Sequence, residues 1–422
     1  MALAGAQKGA GFAETQWLVQ RGSQFVQVSE LLYRLLEQLD GERTLDKLAA
    51  KLTARSPWTI SPEQVAQLLE HKLIPLGLVG SQAATAAARS KPRSPLAVNL
   101  RIKTIGPRLL EPITGVLQKL YAPTILIPLL ALIVVAHAWL YLGRGVGDAV
   151  EQLLFHPMLV FAVIGVVLLS ALLHEFGHAS ALRYGGGKVR AIGVGWYLIY
   201  PVFFTDTTDA YRLGRWARVR VDVGGFYFHL LAAVAFIALA ELLGQPWLAF
   251  VTFAINVEVL RQLTLPFIRL DGYWLLADLM GIPDPFSQTR PFLRSLLPGS
   301  RPKGTKLPRL RPWAKAAFAS YVAVTVPTLC FLLYKAVTKL PDLWSTAWDS
   351  FELHKAALTT AFESGDVMRA ITSSLEVFIT AMPALATGLM VVLLVSWAAR
   401  NIARRLALPP GSLTPERTET RS

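Results

Sequence analysis

One short run in this chain concentrates the residue types that metal-assisted hydrolysis needs: His174-Glu175-Phe176-Gly177-His178. On a helix, positions i and i+4 lie on one face, so His174 and His178 can aim two imidazole nitrogens at one zinc ion. Glu175 stands near that ion without being forced to bind it. A carboxylate so placed can take a proton from water that the ion acidifies. The run lies in an apolar stretch, where a charged side chain costs roughly 2.5–3.5 kcal/mol on insertion scales. Three ionisable residues packed this closely are an expensive way merely to hold helices together, so the metal-site reading outweighs the packing one.

A catalytic zinc wants three protein ligands and one open position. The third ligand must come from elsewhere in the chain. Asp271, in Arg269-Leu270-Asp271-Gly272, follows a later apolar run and ranks first. Asp206 and Asp209 read as turn or capping residues. Glu258 has Arg261 three residues on and reads as half of an ion pair. Were Glu258 or Glu241 the third ligand, Asp271 would be dispensable.

These side chains need a scaffold. The chain has 422 residues, of which 53% are hydrophobic and only 17% charged, and its mean hydropathy is +0.43. Soluble proteins carry roughly a quarter charged residues. The apolar residues also cluster into runs of about 20, the length that crosses a hydrocarbon core as a helix. The expected fold class is mainly α: a polytopic membrane helix bundle of about six spans. They are placed near Tyr121–Tyr141, Pro157–Leu182, Val223–Leu243, Trp247–Ile268, Ala316–Leu333 and Val377–Trp397.

The net charge of +14 raises the question of nucleic acid. No such partner is expected, because the Lys and Arg residues sit in the loops between apolar runs. Arg101, Lys103, Arg108 and Lys119 precede the first span. Arg183, Lys188, Arg190, Arg212, Arg215, Arg218 and Arg220 separate the second and third. A further set from Arg290 to Lys315 separates the fourth and fifth, and Arg400, Arg404 and Arg405 follow the sixth. Basic loops mark the cytoplasmic side, so both termini are expected in the cytoplasm of a cell (inner or plasma) membrane. This topology puts His174, His178 and Asp271 at the same ends of their spans. The first residues lack an apolar h-region, so no cleaved leader is expected. A single cysteine, Cys330, excludes an internal disulfide or a Cys-based metal site.

Ala191–Phe204 is apolar but too short to span. Its Gly, β-branched and aromatic content suits a re-entrant hairpin, which must pack against protein or line a water-filled cavity. Residues 1–82 read as a small, mostly helical soluble domain. Val26 and Val28 alternate as in a strand, residues 29–39 have helical apolar spacing, Thr44 can cap a second helix, and Ser61-Pro62 opens a third that ends near Gly77. Residues 83–98 read as a linker, 99–312 as the membrane-embedded core and 313–422 as additional C-terminal spans and tail.

Two resemblances follow from these motifs. HExxH at 174–178 on one membrane helix, with Leu270-Asp271-Gly272 after a later one, resembles the site-2 protease family of intramembrane metalloproteases over residues 115–285. The run Leu270–Pro283 is similar to a bacterial branch described as putative peptide zinc metalloproteases. The resemblance implies His174, His178 and Asp271 as ligands of one zinc ion per chain, Glu175 as catalytic base, and cleavage in or near a membrane segment of the substrate. The family's Gly-Pro-x-x-Asn pattern is altered here to Gly225-Phe226-Tyr227-Phe228-His229, and the Asn before the LDG is absent. His229 is therefore a candidate for the oxyanion or substrate-steadying role. Residues 12–80, with the Leu39-Asp40-Gly41-Glu42-Arg43-Thr44 turn, resemble PqqD-like winged-helix modules that hold peptides for modifying enzymes. The implied partners are a membrane-protein or ribosomally made peptide substrate, the lipid bilayer, and peptide-modification or export proteins. The alternative is a non-proteolytic membrane binding or export component that retains a metal site.

Overall fold

The computed structural model describes residues 2–6, 9–21, 24–55, 57, 59–79, 99–156, 158–197, 200–265, 267–295 and 310–406. The linker 83–98 and the basic residues from Arg301 to Arg309 lie outside the described residues. The chain divides into two compact units, Met1–Thr325 and Val326–Ser422.

The first unit begins with an antiparallel sheet in chain order, β1 (Ala2–Ala6), β2 (Trp17–Arg21) and β3 (Gln24–Val28), which takes in Val26 and Val28. Three helices follow: α1 (Glu30–Gln38), α2 (Leu45–Ala54) and α3 (Pro62–Leu68). Ser29 caps α1 by accepting from the Leu32 amide. Ser61 caps α3, and Gln64 completes a capping box. Thr44 stands at the N-cap of α2 but makes no side-chain cap bond. Helical turns continue to Leu73, and Gly77 takes φ 65°, the left-handed exit expected of it. Val19, Leu35, Leu52, Val65 and Leu73 close a core of their own. The β1–β2 connection leaves this core: the Gly11 amide donates to the Gly281 carbonyl at 2.8 Å, and the Gly11 carbonyl accepts from the Arg311 amide at 2.9 Å.

The rest of the first unit is helical around a second small sheet. β4 (Asn99–Ile105) leads into α4 (Pro107–Leu117), α5 (Pro123–Ala138), α6 (Gly147–Phe155) and α7 (Leu159–Tyr184). The hairpin expected over 191–204 forms as β5 (Ile192–Tyr197) and β6 (Tyr200–Thr205), and β4 joins it on the β5 side, giving the order β4-β5-β6. Arg101 and Lys103, basic residues ahead of the first span, thus belong to a strand. Then come α8 (Arg215–Leu242), α9 (Trp247–Thr264), α10 (Asp271–Met280) and α11 (Pro285–Ser295).

Among the described residues, five helices are long and apolar enough to cross a membrane: Pro123–Arg144, Leu159–Tyr184, Arg215–Leu242, Pro312–Ser364 and Val367–Leu393. The expected fourth span forms as α9 but is not among them. Its 18 residues give about 27 Å at 1.5 Å per residue, and Asn256, Glu258, Arg261 and Gln262 dilute its C-terminal half.

α12 (Pro312–Ser364) and α13 (Val367–Leu406) carry the last two apolar segments. Within the second unit they form an antiparallel hairpin. Gly365 turns the chain at φ 68°, the His354 imidazole pairs with Glu376, and the Leu340 side chain faces Gly388. Segment 340–372, which carries no motif in the sequence, is thus helix on both sides of a turn.

Candidate metal centre

α7 carries His174, Glu175 and His178, all buried. It crosses α8 at a pair of glycines. A Cβ on Gly177 would lie 2.2 Å from the Gly224 carbonyl oxygen, so only glycine lets the two backbones approach this closely. The Tyr121 hydroxyl donates to the Gly177 carbonyl at 2.9 Å and seals the crossing.

The crossing brings one face of α8 against the two imidazoles. Val221 comes first: the His178 Nδ1–H donates to its carbonyl at 2.7 Å, which leaves the Nε2 lone pair free. Gly225 comes one turn later. A Cβ there would sit 2.4 Å from His174 Nε2 and 2.5 Å from His178 Nε2, so the missing side chain is the space the ligand nitrogens occupy. His229 comes one turn further on, with its Nδ1 3.2 Å from His174 Nδ1. It thus stands behind the His174 ring, on the side away from Nε2, and the Ser170 carbonyl lies against its own ring.

Asp271 enters from the start of α10. Its amide donates to Gln262 Oε1 at 3.3 Å, and Gly272 lies so close to α9 that a Cβ would fall 2.0 Å from the Gln262 carbonyl oxygen. Two turns along α10, Asp278 accepts from Arg218 Nε at 2.7 Å; Arg218 is 2% exposed. This ion pair clamps α10 to α8.

The three side chains converge. His174 Nε2 is 3.0 Å from His178 Nε2 and 2.8 Å from Asp271 Oδ2, and His178 Nε2 is 3.4 Å from Asp271 Oδ1. Ligand atoms about 2.0–2.1 Å from a tetrahedral ion stand about 3.3 Å apart, so the donor set fits a single metal ion. Among the described residues, this is the group of His, Cys, Asp or Glu that could hold one. The competing carboxylates are engaged elsewhere. Glu258 pairs with Arg261 at 2.6 Å, as its spacing predicts, and Glu241 pairs with Arg144 at 2.8 Å. Asp206 accepts from Thr208, and Asp209 accepts from the Lys188 amide at 2.9 Å, both tying turns together.

Glu175 lies beside the group, and its Oε2 accepts from the Thr205 hydroxyl at 2.7 Å. Thr205, Gly225 and the Arg218–Asp278 pair escaped sequence reasoning. Charged residues in apolar surroundings hint at the pair, and adjacent glycines on a spanning helix hint at a close crossing. Nothing local to Thr205 points to Glu175.

Neither protein-family models, nor curated proteins, nor solved structures yield a match to this chain.

Proposed function

We propose that this chain is a membrane-embedded zinc metalloprotease of the site-2 protease kind, acting on a membrane-associated protein or a ribosomally made peptide. One observation carries the reading: two imidazoles from α7 and a carboxylate from α10 meet within ligand distance, with a second carboxylate, Glu175, beside them. Two nitrogens and one oxygen are a donor set of catalytic zinc, which keeps its fourth position open. When bound, zinc polarises the scissile carbonyl and lowers the pKa of water at the site toward about 7.

The chain's own residues supply the rest. Glu175 accepts the proton of the attacking water and delivers it to the leaving amine nitrogen. The Val221 carbonyl fixes the tautomer of His178. His229 does the same for His174: its Nδ1 accepts the His174 Nδ1–H, leaving Nε2 of His174 for the metal. The contact with His174 supports this orienting role beside the oxyanion or substrate-steadying role that its place in the motif implies. A membrane-spanning substrate hides its carbonyls in helical hydrogen bonds and must unwind before attack. β6 is paired with β5 on one side, and its other edge suits an extended substrate by strand addition. The basic loops support an orientation with both termini cytoplasmic, and the front domain suits peptide capture in the manner of PqqD-like modules.

The test uses purified full-length protein in detergent. Wild type should carry one zinc per chain and cleave a model transmembrane substrate. Glu175→Gln should keep the metal and lose cleavage by at least about 100-fold, within the range general-base removal costs. A Glu175→Gln protein that cleaves as well as wild type would refute Glu175 as the base, and a wild type that binds zinc but cleaves nothing would refute the proteolytic reading in favour of binding or export.

A further inference from the structure

We propose that Thr205 is a positioning residue for the general base, holding the Glu175 carboxylate in its working orientation from the end of the β-sheet. The inference rests on the proteolytic reading above and assigns a role outside the motif.

The Thr205 hydroxyl lies 2.7 Å from Glu175 Oε2 and 3.0 Å from the Glu175 backbone carbonyl oxygen. A hydroxyl has one proton to donate, and a carboxylate is the stronger acceptor, so the bond to Oε2 takes precedence. That bond engages one carboxylate oxygen and leaves Oε1 for the water. A glutamate side chain has three rotatable torsions, and the backbone of α7 constrains none of the outer ones. Its hydrogen-bond partners must therefore set where the carboxylate points.

Thr205 is itself immobilised. It is the last residue of β6, in register with Ile192 of β5, which is fully buried. Just beyond that pairing, the Asp206 amide donates to the Ala191 carbonyl at 2.8 Å and the Thr207 amide donates to the Thr205 carbonyl at 3.0 Å. The Asp206 carboxylate in turn accepts from the Thr208 hydroxyl at 2.6 Å. The base is thus tied to a strand end held by the sheet and a tight turn. The same strand offers the edge to which an extended substrate would add, so substrate docking and base orientation share one element.

Two pairs of variants isolate the hydroxyl. Thr and Val have the same shape and differ in the hydroxyl, as do Ser and Ala at smaller size. A hydrogen bond to a charged group is worth enough to change a rate roughly 10- to 100-fold. In detergent, with a model transmembrane substrate, Thr205→Val should lower kcat by that factor while KM and zinc content stay at wild-type values. Thr205→Ser should stay within about threefold of wild type, and Thr205→Ala should fall as Val does. If Val fails to fold, the Ser–Ala comparison decides alone. A Thr205→Val protein with wild-type kcat, Ser and Ala variants equally impaired, or a loss confined to KM or to bound zinc would each overturn the assignment. A wild-type protein that cleaves nothing would overturn the proteolytic reading and this inference with it.

Discussion

Gly225→Ala puts the metal site to its sharpest test, because the change adds one methyl group and nothing else. The new Cβ would lie 2.4 Å from His174 Nε2 and 2.5 Å from His178 Nε2. An ordinary contact needs about 3.5 Å, so the two rings must retreat by about 1 Å. Metal coordination tolerates displacements of only about 0.2 Å. His178 cannot retreat freely, since its Nδ1–H is held by the Val221 carbonyl. The helix itself gains, because alanine is favoured over glycine by about 1 kcal/mol in a helix interior. The variant should therefore fold and fail to bind metal.

Disturbing even an orienting partner costs 10- to 100-fold in affinity, so a loss of about 100-fold is a conservative expectation. At zinc 100 times the wild-type Kd, binding stabilises the wild type by about 2.7 kcal/mol, and the variant would gain only about 0.4 kcal/mol. The assay is thermal unfolding of both proteins in detergent with and without zinc, alongside metal content. Gly165→Ala, on the same α7 with nothing near its added Cβ, is the control and should respond to zinc as wild type does. A Gly225→Ala protein with wild-type zinc affinity and an undiminished zinc-dependent shift would refute the placement of the ligands.

Two further outcomes follow from the supporting residues. His229→Ala should weaken zinc binding by about 10- to 100-fold in equilibrium dialysis; unchanged affinity would remove its orienting role. Asp278→Asn leaves the Arg218 guanidinium buried without its counter-charge, which should cost about 3–5 kcal/mol of stability. Denaturant unfolding in detergent reads this, and a midpoint equal to wild type would show that the ion pair does not hold α10 in place.

Much of the scaffold is local in origin and was readable in advance. The Ser61 cap, the strand around Val26 and Val28, and the Gly77 exit are each set by a short stretch of chain. Five of the six expected spans recur as the five apolar helices, with the first beginning at Pro123 and the fifth and sixth lengthened well beyond their apolar runs. The fourth, Trp247–Ile268, ends as a helix at Thr264, because Pro266 follows and a proline lacks the N–H and crowds the preceding turn. Pairing of β4 with β5 escaped notice because the two partners are some ninety residues apart, and strand pairing leaves no periodic signature in either.

The spacing of His174 and His178, with Glu175 between them, is a property of one helix, so the sequence alone determined that two imidazoles share a face and that a carboxylate adjoins them. Asp271 could be ranked as their partner, but whether it reaches them depends on how α9 and α10 fold back over α8. Only the tertiary structure decided that, and it also decided which way each ring points, what stands behind His174 and what holds Glu175. Those contacts join residues from separate helices and a sheet through backbone approaches that glycine permits. Their energy belongs to the packing of distant segments, and no single stretch of chain encodes it.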